Sequence, residues 1–338
     1  MAKKLANRYF LSPYFLAFRF GFLYQEELIY FNLCLDTSTN INMIKQHYTS
    51  GKISIILVNY NGADILIDCL NSLEKFIPKD NCEIIVVDNN SQDNSIDILN
   101  DKFPNIKLIK LPKNVGFGAG NNAGAKIAKG EFLFLLNTDT ILMNNILPHL
   151  IELMSENPDV GIIGPKLLFP DGSFQISFSP EIGIKGEFAA RKLHKDAENK
   201  SNLHIIEKDF QDIKEVDIVV GAAFFIRTDL FNLLGGFDEK FFMYFEESDL
   251  CQRVRNKGYK ILYTPYISLI HIRGHSVNKI SNKMAVEYRR SQIYYYHKHR
   301  PMWEILMLKI YLLFKFLFEY LKTSNPYSWK IIKLIFID

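Results

Sequence analysis

An aromatic run, Phe241-Phe242-Met243-Tyr244-Phe245, is followed at once by three carboxylates, Glu246, Glu247 and Asp249. A carboxylate set among aromatic rings loses hydration, so its pKa rises and it becomes a better proton acceptor near neutral pH. The competing structural reading is the acidic first turn of a helix through Asp249-Leu250-Cys251-Gln252-Arg253-Val254-Arg255. At most one of the three is expected to move a proton, the others serving the helix or orienting it. Asp139 follows the apolar stretch Phe132–Leu136, two residues past Asn137. A carboxylate there can hold a divalent cation that in turn binds a diphosphate; considered alone, it reads first as a helix N-cap. His271 ends the apolar stretch Tyr266–Ile270, with His275 four residues on. A lone histidine is ordinarily a satisfied core residue, but a neutral imidazole also suits a metal shared with Asp139. The glycine-dense segment Lys113–Gly124 leads into a helix. Its glycines can let backbone N–H groups approach a phosphate, or serve tight turns and close helix–strand packing. The spacing does not match GxxxxGK[ST], so a P-loop is not supported.

To act together these groups need a scaffold that gathers distant chain positions. Clear periodicity begins at Ile53. Ile53–Val58 is a short β-branched run, followed by Asn59-Tyr60-Asn61-Gly62 and a helical pattern on Ile65, Leu66, Cys69, Leu70 and Leu73. Ile84–Val87 is a second run, ending on Asp88 and a polar loop; Ile106–Ile109 is a third. Phe132–Leu136 is a fourth, ending in Asn137-Thr138-Asp139. Short apolar strands alternating with helical stretches predict a parallel sheet covered on both faces. Ligands of such sheets sit at the carboxyl ends of the strands. Asn59, Asp88 and Asp139 each follow such an end and are expected to converge on one edge. Further on, Val216–Arg227 is another apolar run, and Leu230–Leu234 stops at Gly235-Gly236. Residues 49–300 read as one continuous domain without repeats.

Composition excludes several classes. The 338-residue chain carries a net charge of +3 with scattered basic residues, so no nucleic-acid partner is expected. Cys34, Cys69, Cys82 and Cys251 are isolated, which fits a reducing compartment and argues against a disulfide framework or a structural zinc site. Lys3 and Lys4 precede an apolar stretch that Arg19 interrupts, and no cleavage site follows; a secretory signal is not expected, nor is a spanning helix.

Taken in order, these segments resemble the inverting glycosyltransferase family 2, in particular its bacterial rhamnosyltransferase-like branch. The carrying motifs are Ser54–Asn61 (SIILVNYN), Val86–Ser91 (VVDNNS), Asn114–Gly124 (NVGFGAGNNAG), Leu136–Thr140 (LNTDT), Gly221–Arg227 (GAAFFIR), Gly235–Arg253 (GGFDEKFFMYFEESDLCQR) and Tyr263–Ser276 (YTPYISLIHIRGHS). Each is weak; the ordered set is specific and covers roughly residues 52–276. The resemblance implies a GT-A fold, an α/β architecture with a Rossmann-like, mostly parallel sheet. Its nucleotide half spans about 49–140 and its acceptor half about 141–300. It implies that Val58, Asn59, Tyr60 and Asp88 line the base and ribose pocket, that Asn114 and Gly116 flank the nucleotide, and that Asn137, Thr138 and Asp139 stand at the DxD-type metal motif. Glu247 matches the catalytic base, and His271 a further ligand of the metal or diphosphate. Gly221, Ala222, Glu246 and Asp249 fall on the acceptor side. Asn137 replaces the first carboxylate of DxD, and Glu247 replaces the commoner Asp; both variants are similar to those of the rhamnosyltransferase-like branch.

The implied reaction is metal-assisted (Mg2+ or Mn2+) transfer, with inversion, from a UDP- or dTDP-linked sugar to a hydroxyl of a glycan or lipid-linked saccharide, in bacterial-type surface polysaccharide synthesis. The rival readings are a catalytically silent sugar-nucleotide-binding or assembly protein, which loss of the base or metal residue would favour, and a nucleotidyltransferase, for which no basic triphosphate signature appears. Residues 1–48 form an aromatic-rich N-terminal extension of unassigned role. In the C-terminal segment 301–338, Trp303–Lys322 reads as an almost wholly apolar helix. Its Glu304, Lys315, Glu319 and Lys322 fall in a stripe roughly 60° wide. Such a helix lies in a membrane interface or docks on a partner or on the domain itself. The expected location is cytoplasmic, peripheral on the inner face of the cell membrane.

Overall fold

The computed structural model describes residues 49–272, apart from 79 and 81, and residues 281–337. The readings for residues 1–48 and for His275 lie outside them. The first half alternates strand and helix: β1 (Thr49–Asn59), α1 (Ala63–Phe76), β2 (Cys82–Asp88), α2 (Ser95–Lys102), β3 (Lys107–Lys110), α3 (Phe117–Ala125) and β4 (Gly130–Leu136). The four strands stand where the apolar runs predict them. They pair in parallel, in the order β3-β2-β1-β4. Side chains alternate across a strand, and both faces of β1 are covered. Ile53, Ile55 and Leu57 join one core with Leu66, Leu70 and Leu73 of α1, while Ile56 joins a second core on the other face.

The second half continues the sheet in mixed orientation. Its elements are β5 (Thr140–Leu142), α4 (Leu147–Glu156), β6 (Val160–Leu168), β7 (Phe174–Gln175), β8 (Phe178–Ser179), α5 (Ile184–Ala197), α6 (Lys200–Asp209), β9 (Lys214–Glu215), β10 (Ile218–Val219), β11 (Ala223–Arg227), α7 (Thr228–Leu233), α8 (Glu246–Asn256) and β12 (Lys260–His271). β11 lies antiparallel between β4 and β6, and β12 runs parallel to β6. β5 pairs antiparallel with β12, and β7 with β6. The strand order β4-β11-β6-β12-β5 folds the chain back, so the end of β12 meets the turn that leaves β4.

Three helices close the chain: α9 (Ser281–His299), α10 (Met302–Thr323) and α11 (Pro326–Ile337). They build a further apolar core whose other members are Phe241 and Phe245, in the loop before α8. α10 contributes Ile305, Leu308, Leu312 and Phe316 to it. The charged stripe of α10 begins at the domain: Glu304 is buried, accepting from Arg300 and from the Ile184 backbone N–H. The outward face is left apolar, with Trp303, Leu306, Ile310, Phe314, Phe318 and Leu321 between 46% and 74% exposed. Among the described residues, no helix is long and apolar enough to cross a membrane.

Candidate active site

The carboxyl ends of β1 and β2 are in register, Asn59 beside Asp88. The Asn59 amide donates to Asp88 Oδ1 (3.4 Å) and to Ser91 Oγ (3.1 Å), and Asp88 Oδ2 accepts from the Ser91 N–H (3.0 Å). Asn59 and Asp88 are buried beneath the strand ends, whereas Tyr60 stands exposed beside them. Val58 is half-buried, packed against α3. Asn59 Oδ1 has no protein partner although it is buried. Asn89, to which the sequence motifs assign no role, ties the glycine-dense loop to this edge. Its amide donates to Asn114 Oδ1 (3.0 Å) and to the Gly116 carbonyl (3.1 Å), and its oxygen accepts from the Val115 N–H (2.8 Å).

That loop does not precede a helix; most of it is the helix α3. A Cβ on Gly120 would sit 2.7 Å from Val58 Cγ1, and one on Gly124 2.6 Å from Ile56 Cγ2. The glycines therefore let α3 lie directly on β1, which is the packing reading. Gly116 has φ +91°, and a Cβ there would lie 2.0 Å from the Phe242 carbonyl oxygen, which accepts from the Phe117 N–H (3.2 Å). Gly116 thus joins the first half of the sheet to the segment that carries the acidic cluster, while Asn114 Oδ1 holds the loop by accepting from the Asn89 amide and the Gly116 N–H.

Asn137, Thr138 and Asp139 form the half-buried turn after β4. The Asn137 N–H donates to the Ala222 carbonyl (2.9 Å), and its own carbonyl accepts from the buried Thr140 hydroxyl (2.7 Å). The chain leaves Asp139 directly into the strand β5, so Asp139 caps no helix. Its backbone carbonyl accepts from the Ile272 N–H (2.9 Å), which places His271 over the turn. His271 Nε2 lies 3.3 Å from Asp139 Oδ1. That is longer than a charge-assisted hydrogen bond. Two donors at right angles around one ion, each ~2.1 Å from it, would be about 3 Å apart. The carboxylate–imidazole pair fits a divalent ion, and its nitrogen favours Mn2+ over Mg2+, which prefers oxygen. Among the described residues no three His, Cys, Asp or Glu side chains gather around a metal position. A two-donor site leaves its other positions to ligand oxygens or water. His271 Nδ1 is 2.6 Å from Oε1 of Gln175, a buried residue that no sequence motif singles out. Only the Asp171-Gly172 turn signal lies near it, and a two-residue strand shows no period that would reveal a buried side.

Glu246 and Glu247 open α8, behind Tyr244 and Phe245, both at φ +69°. Burial, and then the charge of Glu247, pushes the Glu246 carboxyl well above its ordinary range. Burial also raises Glu247, countered by its own N–H and that of Ser248. Glu246 is buried with Oε2 unpartnered, whereas Glu247 is half-buried. A Cβ on Gly221 would lie 3.8 Å from Glu247 Cβ, so Gly221 and Ala222 connect Glu247 to the Asn137 turn. Asp249 turns the other way. Its Oδ1 meets His299 Nε2 and Lys298 Nζ (both 2.7 Å) and its Oδ2 meets Arg253 (2.7 Å). Burial alone would raise Asp249, but the His299 hydrogen bond and the Arg253 and Lys298 charges hold it below the usual carboxylate range. It is fully buried and joins α8 to α9.

A nucleotide-type strand edge, continuous with an acidic second half across a mixed sheet, defines a glycosyltransferase of the GT-A fold. The same architecture is seen in the mannosyltransferase PcManGT from Pyrobaculum calidifontis in complex with GDP-Man and Mn2+ (TM-score 0.52, 16% identity, 84% of this chain and 73% of that one). The sequence profile of Glycosyl transferase family 2 matches residues 54–234, more than half of the chain, and the chain belongs to that family. It is 25% identical over 240 residues to N-acetylglucosaminyl-diphospho-decaprenol L-rhamnosyltransferase of Mycobacterium tuberculosis (65% of this chain, 76% of the relative). It is 24% identical over 234 residues to the dTDP-rhamnosyl transferase RfbF of Shigella flexneri (68% and 72%).

Proposed function

We propose that this enzyme transfers a rhamnosyl or related sugar from a dTDP- or UDP-linked donor to a hydroxyl of a glycan or lipid-linked saccharide, with inversion, during surface polysaccharide synthesis. The observation that carries the reading is the joining of two groups at one strand-end edge. These are the Asp139–His271 donor pair and the desolvated Glu247, linked through Gly221, Ala222 and the Asn137 turn. The named activities of the mycobacterial and Shigella relatives support the sugar and, in the first case, a lipid-linked acceptor.

Asp139 and His271 would hold the divalent ion, which when bound neutralises charge gathering on the leaving diphosphate. Glu247 accepts the proton of the acceptor hydroxyl as that oxygen forms its bond to the anomeric carbon. The carbon–oxygen bond to the diphosphate breaks on the opposite face, and its electron pair leaves with the diphosphate. A single displacement of this kind inverts the anomeric centre. Val58, Asn59, Tyr60 and Asp88 are assigned to the base and ribose, and Asn137 and Thr138 to the diphosphate side. Asn114 and Gly116 act by holding their loop, and Glu246 stands beside the base on the acceptor side.

The reading includes peripheral membrane contact through the outward face of α10. Its flanking cations Lys315 and Lys322 are exposed while Glu304 is buried, which suits an anionic lipid surface. The deciding experiment screens a panel of nucleotide sugars for nucleoside-diphosphate release with a lipid-linked acceptor, comparing the wild type with Glu247→Gln. The amide keeps the shape and removes the basicity, so donor binding persists while turnover falls on the order of a thousandfold. Turnover near the wild-type rate in that variant would sink the assignment.

A further inference from the structure

The Gln175 amide reaches His271 twice. Its nitrogen donates to the His271 backbone carbonyl (3.2 Å), and its oxygen lies 2.6 Å from Nδ1. Flipping the amide would set oxygen against the carbonyl oxygen, so the donor on the carbonyl fixes which end faces the ring. An amide oxygen can only accept, and Nδ1 therefore carries the hydrogen. Nε2, on the other side of the ring, is aimed at Asp139 Oδ1. Gln175 and His271 are both buried, so no water competes for these contacts. The topology enforces the meeting: β7 and β12 both pair with β6, Gln175 opposite Leu167 and Leu269 also opposite Leu167.

We infer that Gln175 is a positioning residue for the metal site: it fixes the tautomer and the ring plane of His271, so that Nε2 is presented with Asp139 as one half of a divalent-ion site. The inference rests on the proposed function, in which Asp139 and His271 hold the ion. Partners on the far nitrogen of a ligating histidine set its orientation and basicity, and their loss typically weakens metal binding about 10–100-fold. The side chain touches no reacting atom, so its effect passes entirely through His271.

The test uses the full chain and Mn2+ alone, with free Mn2+ followed by electron paramagnetic resonance. Gln175→Met removes both amide contacts at nearly constant shape, and Gln175→Glu keeps the acceptor facing Nδ1. Mn2+ binding should weaken about 10–100-fold in the first and less in the second. In a His271→Ala background, Gln175→Met should cost nothing further, which a merely structural role would not produce. Nitrogen-15 spectra of labelled histidine, assigned through His271→Ala, should show the Nδ1–H tautomer in the wild type and its loss in Gln175→Met. This readout needs no metal. An Nε2–H tautomer in the wild type overturns the inference, as does an equal loss of Mn2+ affinity in the presence and absence of His271. Mn2+ binding that His271→Ala leaves unchanged sinks the metal reading itself, and the inference with it. Weakening by His271→Ala but not by either Gln175 variant sinks the inference alone.

Discussion

At the scale of single residues, the acidic cluster divides its labour by solvation. Glu246, Glu247 and Asp249 lie within four residues, yet the His299 hydrogen bond and the Arg253 and Lys298 charges favour ionised Asp249 while the two glutamates resist ionisation. Because the folded pKa values of Glu246 and Glu247 lie above the unfolded ones, their contribution to stability is present below the unfolded pKa. It is lost as pH rises through the folded values. Glu246→Gln removes part of that loss. Thermal melts should show the variant more stable than the wild type by a few degrees near about pH 8, the gap closing toward about pH 5. A gap that widens toward acid would contradict the raised pKa. Asp139→Ala belongs to the same scale. Calorimetry with dTDP and UDP, with and without Mn2+, should lose its metal-dependent component in this variant if, as proposed, Asp139 holds the ion that binds the diphosphate. An unchanged metal response would leave Asp139 with a purely local role in the turn.

At the scale of elements, the site depends on how closely a few segments approach. The loop before α8 touches the start of α3 through Gly116, whose missing Cβ makes room for the Phe242 carbonyl. Gly172 offers an internal comparison: its φ is +80° but nothing lies within 4 Å of a Cβ there. Gly172→Ala should cost only the backbone strain, roughly 1 kcal/mol. Gly116→Ala adds a clash with a carbonyl and should cost several times more, on the order of 3 kcal/mol or above. Urea unfolding of the two variants measures the difference directly; equal losses would mean that the contact with Phe242 is dispensable. Arg253 links neighbouring elements in the same way, donating to the carbonyls of Leu234 and Gly236 (2.9 and 2.8 Å) while pairing with Asp249. The Gly-Gly turn, α8 and α9 are therefore set by one polar cluster.

At the scale of the whole molecule, the C-terminal helices present two faces, one packed on the domain and one exposed. The inner face of α10 covers Phe241 and Phe245 in the segment that leads to Glu246 and Glu247. Truncation after Arg300 would leave those rings and much of α9 uncovered, a loss on the order of 5 kcal/mol or more. The truncated chain is expected to melt far below the full one or to aggregate; a truncated chain with unchanged Tm would show that α10 is an appendage. The outer face is separable. Phe314→Asp with Leu321→Asp, at positions 69% and 74% exposed, should leave Tm nearly unchanged while abolishing sedimentation with anionic vesicles. Vesicle binding that survives the double substitution would assign the membrane contact elsewhere.

The strands β1 to β4 and the edge at Asn59, Asp88 and Asp139 were legible in the sequence, each written in a local signal, a β-branched or apolar run ending on a polar residue. The aromatic run announced a desolvated carboxylate among Glu246, Glu247 and Asp249, but not which one; Glu247 was singled out only by the family resemblance. Three matters were decided only by the tertiary structure. Asp139 ends in a turn before β5 and not at a helix start, since strand β12 recruits the residues after it. Asp249 is held by Lys298 and His299, about fifty residues away on α9. His271 receives its orientation from Gln175, ninety-six residues away. Local signals report which face of an element is apolar, because that periodicity is carried by neighbours in the chain. Which polar side chain finds which partner depends on strand order and register, and these arise from packing among segments that carry no mark of one another.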